Sequence, residues 1–178
     1  TLVDSGHYTD FVYSFVQRYT AGGVYACKGN DWIKDGETYK EFARTTVERI
    51  GLPVAYHINT GKLKDRISSV MNGSFWADGK IQPTWYPNFP EDFGDDYFAM
   101  YEAEEKIEEV DKETGRWLRT RWRCKFGAAN HGFDTCVYNW AALEIFADDI
   151  CRNVLRLPAL SWQDFWDYAA ADEFRYFA

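Results

Sequence analysis

The chain has 178 residues, a formal net charge of −8 and an aromatic content of 19%. This length suffices for one domain with a sizeable core, and the aromatic share predicts a core built largely on Phe, Tyr and Trp. The negative charge argues against a general nucleic-acid coat protein, which would be basic, but not against a nuclease whose acids bind metal. No signal-peptide pattern or long apolar run is present, so we expect neither secretion nor a membrane span.

The first third of the chain predicts strands alternating with helices. Residues 2–4 are typical of the end of a strand, and apolar residues at helical spacing follow over 11–19. Residues 24–27 predict a second, buried strand. Apolar positions over 39–50 predict a second helix, closed by Gly51.

The middle of the chain predicts a third strand at 53–59, with Thr60 as the N-cap of a basic helix over 62–71. The Gly-, Pro- and Trp-rich stretch 72–90 predicts an ordered loop with one short strand at 84–86. Pro90 suits the first turn of the helix that follows it.

The last third predicts a β-hairpin over 106–125 that turns at 112–115, and then a long helix over 133–154. The overall prediction is an α/β fold with an added antiparallel hairpin. The four cysteines lack the spacing of a zinc site, which favours reduced core thiols.

Two acids stand out by position. Asp4 ends the first strand, at the edge where α/β sheets bind ligands, and Asp134 lies in the first turn of the last helix. If that helix packs on the sheet near Asp4, the two carboxylates could share Mg²⁺ or Mn²⁺, since both ions prefer hard oxygen ligands. Alternatively, Asp134 is an ordinary helix-capping or dipole residue.

Three segments resemble the nuclease domain of lambda-like phage terminase large subunits. They are residues 4–13 (DSGHYTDFVY), 24–29 (VYACKG) and 130–138 (NHGFDTCVY), in the order that the family has them. The similarity extends from about residue 1 to residue 154. It implies an RNase H-like mixed sheet flanked by helices, and a nuclease domain over 1–155 followed by an aromatic and acidic tail over 156–178.

The resemblance also implies a function. Such a domain is a metal-dependent endonuclease that cuts concatemeric viral DNA by two-metal phosphodiester hydrolysis, with two Mg²⁺ or Mn²⁺ ions. Its partners would be double-stranded DNA, the terminase ATPase domain, the small subunit and possible portal or procapsid contacts through residues 160–178, and no membrane. Its location would be the cytoplasm of the infected bacterial host.

Carried over residue by residue, Asp4 matches the family's second acidic position and Asp134 its third. The family's first acid would lie upstream of residue 1, and no ATPase P-loop pattern is found. We therefore expect the isolated chain to be weakly active or inactive. The family typically has Asn-Glu at a position where this chain has Asn130-His131. His131, His7 and Asn130 are candidates for orienting a metal ligand or water, although the histidines are equally compatible with simple helix-start residues.

Basic residues form two candidate DNA contacts. One is the second arm of the hairpin, where Arg119, Arg121 and Arg123 alternate with other residues and could face phosphates. The alternative is cross-strand pairing with glutamates between 104 and 109. Lys62 and Lys64 form a weaker second candidate.

Other functions remain open on the sequence. The chain could be a docking module whose tail and hairpin contact portal, procapsid or DNA without cutting, or an RNase H-like recombinase or resolvase. The aromatic tail either folds back on the domain or docks a partner, since it is too short to bury its own aromatic residues.

Overall fold

The computed structural model describes residues 1–30, 34–35, 38–39, 42–47, 52–71, 76–77, 80–81 and 89–171. Its strands, in chain order, are β1 (Leu2–Asp4), β2 (Tyr25–Gly29), β3 (Lys34–Asp35), β4 (Thr38–Tyr39), β5 (Phe42–Val47), β6 (Leu52–Ile58), β7 (Trp76–Ala77), β8 (Lys80–Ile81), β9 (Glu104–Val110) and β10 (Trp117–Cys124). Its α-helices are α1 (Thr9–Tyr19), α2 (Thr60–Met71), α3 (Asp95–Glu102), α4 (His131–Asp149) and α5 (Trp162–Ala170).

The central sheet has the strand order β1-β2-β6-β5. β1, β2 and β6 run parallel, so their carboxyl ends meet at one edge, and β5 pairs antiparallel with β6. The pairs β3–β4, β7–β8 and β9–β10 each form a separate two-stranded sheet. A mixed sheet with flanking helices and an added antiparallel hairpin agrees with the predicted α/β class.

Helices cover both faces of the central sheet. Ala26 and Ala55 pack against Val12 and Val16 of α1. Cys27 and its partners on the other face form the larger core with residues of α2 and α4, namely Tyr56, Ile58, Leu63, Ile67, Phe133, Val137, Ala141 and Ile145. Successive strand residues point to opposite faces, which explains why neighbours such as Ala26 and Cys27 belong to different cores.

The predicted helix over 39–50 is wrong. Residues 42–47 form β5, which pairs with β6 from Phe42 opposite Ile58 to Val47 opposite Leu52. The apolar spacing matches a helix, but Thr45, Thr46 and Val47 are three consecutive β-branched residues, which favour extended backbone. Pairing with β6 supplies the hydrogen bonds that decide between the two structures.

Two helix starts differ from those predicted. The cap of α2 is Asn59, not Thr60, because the side-chain Oδ1 of Asn59 accepts the backbone N–H of Lys62 at 3.0 Å. Helix α3 begins at Asp95 after Gly94, several residues beyond Pro90. The strand expected at 84–86 lies outside the described residues.

The predicted hairpin is confirmed as β9 and β10. Its turn is held by Asp111, whose Oδ1 accepts the backbone N–H groups of Glu113 and Thr114 at 3.1 and 2.7 Å. Gly115 follows with a φ of 66°, a left-handed conformation that suits glycine. The residues that form this turn are neighbours in the chain, so the sequence alone predicts it.

The C-terminal segment folds back on α4. The chain continues from α4 into a π-helical turn (Ile150–Val154), and α5 is then capped by the hydroxyl of Ser161. Phe165 of α5 is 2% exposed and packs with Ala147, Ile150 and Cys151. The division of the chain into 1–155 and 156–178 stays a prediction.

All four cysteines are free, and Cys27 and Cys151 are buried, in keeping with the expected core thiols. In the part of the chain that the structure describes, no helix is both long and apolar enough to cross a membrane.

Candidate active site

Asp4 stands at the exposed end of β1, on a turn that is anchored to β2. The backbone N–H and the hydroxyl of buried Ser5 both donate to the carbonyl of Cys27 at 2.8 Å. The Oδ1 of Asp4 accepts the N–H of Gly6 at 2.9 Å. A Cβ at Gly6 would lie 3.3 Å from that oxygen, so glycine allows the carboxylate to lie close over the turn.

Strand alternation directs Asp4 toward the face of the sheet that α2 and α4 cover. Leu2 packs in the core under these helices, whereas Val3 packs in the core under α1. Because side chains two residues apart share a face, Asp4 lies on the same face as Leu2, past the end of the core. Helix α4, which carries Asp134, packs against β1, as a site shared by the two acids requires.

Asp134 lies in the first turn of α4, as predicted, and its side chain is 39% exposed. Both of its carboxylate oxygens have partners. The Nζ of Lys64 lies 2.7 Å from Oδ1, and the Nδ2 of Asn130 donates to Oδ2 at 2.9 Å. The orientation of the Asp134 carboxylate is therefore set from two sides.

Glu104 joins the two groups that hold Asp134. Its Oε1 accepts the Nζ of Lys64 at 2.5 Å and the Nδ2 of Asn130 at 2.6 Å. Glu104 and Lys64 are only 8% and 7% exposed, so each charge depends on the other for compensation. We call Lys64, Glu104, Asn130 and Asp134 the Asp134 network; its members come from α2, β9 and the start of α4.

Lys64 has different contacts from those expected of a DNA-binding lysine. Its ammonium is buried between Glu104 and Asp134 and lies 5.3 Å from the ring centroid of Phe133. A phosphate contact would require breaking a buried ion pair, which is strongly unfavourable. Lys62, by contrast, is exposed. We therefore keep Lys62, and not Lys64, among the candidate DNA contacts.

Tyr138 lies within electrostatic range of both acids. It follows Asp134 by one helical turn, and its hydroxyl lies 3.7 Å from the position that a Cβ on Gly29 would take at the end of β2. Burial raises the pKa of Tyr138, and the charges of Asp4, Cys27 and Asp134 raise it further. The charges of both carboxylates thus act in the same direction on the pKa of Tyr138.

The histidine candidates are exposed. His7 lies in the turn between β1 and α1, and His131 is the first residue of α4. Their proposed role in orienting a ligand or water stays a prediction. Asn130 is better placed, because its amide already bonds both Asp134 and Glu104.

The donor set fits a hard divalent cation, although it is small. Among the described residues, no group of three or more His, Cys, Asp or Glu is arranged to hold a metal ion. Mg²⁺, however, commonly binds through one or two carboxylates, with water and substrate phosphate oxygens completing the coordination. Asp4 and Asp134 offer such oxygens, and an ion at Asp134 would share the carboxylate with the ammonium of Lys64.

The hairpin arginines pair with glutamates across the strands. Arg119 lies 2.6 Å and Arg121 3.6 Å from Glu109, and Arg123 lies 2.5 Å from Glu105. Hydrogen bonds from Arg119 and Arg123 hold the pKa values of these two glutamates below their ordinary range. Cross-strand pairing, one of the two alternatives, is therefore present, and phosphate contact stays a prediction.

A groove of about 440 Å³ runs between the start of α2 and the hairpin. We call it the α2–hairpin groove. Its walls carry cations and two indole rings, contributed by Lys62, Lys106, Arg119, Arg121, Trp117 and Trp122. Lys62 and two of the predicted arginines border this groove, but strand pairing puts the side chains of Arg119 and Arg121 on the face of Glu109, away from the two indoles.

The sequence did not point to Glu104 or Tyr138 as residues near the candidate site. Tyr138 lies at i+4 from Asp134, so a helical projection could have found it. Glu104 stands in a run of acids that gives no sign of which member is buried. Its partner Lys64 is 40 residues away in the chain.

Comparison with known proteins identifies a family for this chain. The family model for the terminase large subunit gpA endonuclease domain matches residues 1–152, which include Asp4, the hairpin and Asp134. No curated protein and no solved structure showed a significant match to the chain. The family match supports a role in cutting DNA for phage packaging. By this match over most of its length, the chain belongs to the family of terminase large subunit gpA endonuclease domains.

Proposed function

We propose that the domain is an RNase H-like, divalent-metal-dependent endonuclease that cuts concatemeric viral DNA by two-metal hydrolysis. The observation that carries the proposal is that Asp4 ends β1 on the sheet face covered by α2 and α4, while Asp134 lies in the first turn of α4, which packs against β1. Their carboxylate oxygens are the hard ligands that Mg²⁺ and Mn²⁺ prefer. Membership of the endonuclease family supports DNA as the substrate.

The strand arrangement supports the RNase H-like assignment. Parallel β1 and β2 are joined through α1, an acid ends β1, and a second acid comes from a helix packed on the opposite side of the sheet from α1. This arrangement brings an acid from a strand end and an acid from a helix to one corner. The positions of the two acids in the sequence predicted such a shared site, the resemblance strengthened that prediction, and the sheet topology is compatible with it.

In the proposed mechanism, Asp4 and Asp134 would hold Mg²⁺ or Mn²⁺. When bound, the ions would supply an activated water and charge neutralisation at the scissile phosphate and the leaving 3′ oxygen. Lys64 and Asn130 fix the two oxygens of Asp134. Tyr138 follows Asp134 by one helical turn, and its burial favours the neutral phenol.

The proposed partners follow from the family. They are double-stranded DNA, the ATPase domain and the small subunit, and the domain would act in the cytoplasm of the infected bacterial host. The proposed contact with portal or procapsid through residues 160–178 would use the exposed side of α5, where Trp166 is 46% exposed, since Phe165 is buried against α4.

The first test replaces each acid in a terminase large subunit that carries this domain. Asp4→Asn and Asp134→Asn should each lower metal-dependent cutting by at least about 100-fold, because each removes a ligand charge. Asp167→Asn, at an exposed position on α5, is the matched control and should cut normally. Unchanged cleavage by either site variant would contradict the assignment.

Two further measurements separate the rival functions. Calorimetric titration of the domain with Mn²⁺ should show binding that Asp134→Asn weakens, whereas a pure docking module has no need to bind metal there. Cleavage of plain duplex and of branched DNA should proceed at similar rates. A strong preference for branched DNA would instead favour a recombinase or resolvase.

A further inference from the structure

We infer that the α2–hairpin groove binds an unpaired segment of the DNA strand, with a base stacked on Trp117 and phosphates held by Lys62 and Lys106. This inference rests on the proposed function, since it assigns the groove to DNA that passes the acidic site. It goes further, because it specifies a single strand and names an aromatic contact.

The charge of the groove fits a phosphate backbone. Lys62 and Lys106 present cations to it beside Asp65, whereas Arg119 and Arg121, which also border it, are paired with Glu109. Lys106 lies 2.8 Å from Asp65, and both side chains are nearly half exposed. Exposed ion pairs of this kind are weak, so phosphate can replace the carboxylate at little cost. The groove is therefore cationic within a chain that is acidic as a whole.

A β-bulge places both tryptophans on the groove side of the hairpin. Without it, Trp117 and Trp122 would point to opposite faces, because they are five residues apart. The register shifts between Trp117 and Arg119, so that Trp117 stands opposite Val110 and Trp122 opposite Lys106. Residues paired in this way share a face, and Val110 and Lys106 lie on the same side of β9.

The two indoles differ in what they can do. Trp122 is fixed, because its Nε1 donates to the Oδ1 of Asp65 at 2.8 Å and its ring packs edge-on against Phe133. Trp117 is 56% exposed. An exposed indole on a cationic groove is the usual means of stacking an unpaired base, and it tolerates any sequence.

The groove is continuous with the acidic site. Lys64 and Asp65 are neighbours on α2, and Lys64 faces Asp134 while Asp65 lines the groove. On the hairpin side, Trp122 packs on Phe133, the residue before Asp134. The groove therefore adjoins the Asp134 network on both the α2 side and the hairpin side.

Stacking decides between a single strand and a duplex. The faces of paired bases are covered by their neighbours in the helix, so a duplex would contact the groove through phosphates and sugars only. The volume of about 440 Å³ falls within the usual range for small-ligand sites, about 300–1,000 Å³, and is compatible with one nucleotide.

The test measures DNA binding by the 178-residue chain in EDTA, where metal-dependent cutting does not occur. Fluorescence anisotropy compares a labelled 12-nucleotide single strand, the same strand with abasic positions, and the matching duplex. Trp117→Ala should weaken binding of the single strand about tenfold and leave duplex binding nearly unchanged, as loss of one stacked base requires. The abasic strand should bind the unaltered chain about as weakly as the unmodified strand binds the Trp117→Ala chain.

Matched variants separate stacking from folding and charge. Trp166→Ala removes an indole of similar exposure on α5 and should have no effect, and Trp117→Phe should restore most of the binding. Lys62→Ala should weaken both DNA forms equally, whereas Arg18→Ala, at an exposed site on α1, should not. Circular dichroism confirms that each variant is folded.

Two outcomes would overturn the inference. One is an equal loss of single-strand and duplex binding in Trp117→Ala, which would make the groove a backbone contact only. The other is unchanged binding in that variant, which would mean that Trp117 does not contact DNA and that its exposed ring serves a protein partner instead. Because this binding is measured in EDTA and metal binding by Mn²⁺ titration, failure of the groove and failure of the metal site are distinguishable.

Discussion

At the scale of single residues, the candidate site depends on how Asp134 is held. An exposed aspartate samples several rotamers, but here Lys64 and Asn130 fix both of its oxygens, and buried Glu104 fixes both of these partners. Groups that orient a ligand carboxylate commonly change metal affinity by 10–100-fold when they are removed. Glu104 is therefore a positioning residue in the proposed site.

Glu104→Gln tests this role. The change keeps the size of the side chain but leaves the ammonium of Lys64 with only Asp134 as a charged partner. We expect Mn²⁺ affinity, measured by calorimetry, to fall about 10–100-fold while the circular dichroism spectrum is retained.

The matched control is Glu105→Gln on the other face of β9. Glu105 is 41% exposed in its side chain and pairs with Arg123 at the surface, so its loss should leave Mn²⁺ binding unchanged. If the two variants bind Mn²⁺ alike, Glu104 does not position the site.

At the scale of secondary-structure elements, α5 is the clearest case of structure formed by packing. It has nine residues, too few for a stable isolated helix, and only Phe165 is buried in it. The ring packs edge-on against Phe146, and the cap from Ser161 supports the first turn. Tertiary contact with α4 therefore holds the helix in place.

Phe165→Ala should release α5 from α4. Truncation of a buried Phe costs about 3–5 kcal/mol, enough to unfold a short peripheral helix locally. Amide hydrogen exchange should rise across 162–170 and stay unchanged in the central sheet.

Trp166→Ala, the neighbouring exposed position, is the control and should leave amide exchange nearly unchanged. Because the family match ends at residue 152, DNA cutting should also be unaffected by Phe165→Ala. Protected amides in α5 of that variant would show that other contacts hold the helix.

At the scale of the whole molecule, burial of neutral acids predicts a loss of stability at high pH. Burial, and secondarily the charge of Asp4, raises the pKa of Cys27 from 9.0 to about 12. Burial also raises the pKa of Tyr101. The unfolded chain therefore releases these protons at lower pH than the folded chain does.

The contribution of Cys27 is fully present below pH 9 and is lost progressively as the pH rises toward 12. Its slope is about 1.4 kcal/mol per pH unit for one group. Urea unfolding at pH 8, 9.5 and 10.5 should show this decline, and Cys27→Ala should make it shallower. A free energy of unfolding that stays constant over this range would contradict the burial argument.

Local signals made much of the fold predictable. The turn after Asp4, the hairpin and the start of α4 each depend on neighbouring residues, so the sequence placed Asp4 and Asp134 on the correct elements. The helix predicted over 39–50 failed where two local patterns competed and pairing with β6 decided the outcome.

The α/β class and the elements that carry Asp4 and Asp134 could be predicted from the sequence, and the resemblance identified the family. Which charges are buried depends on contacts between distant parts of the chain. Lys64 and Lys62 are indistinguishable in the sequence, yet one is enclosed with Glu104 and Asp134 and the other lines a groove. A charge can be buried only where a partner of opposite charge lies beside it. Lys64 and its partner Glu104 are 40 residues apart in the chain, so the pattern of neighbouring residues does not reveal that they meet.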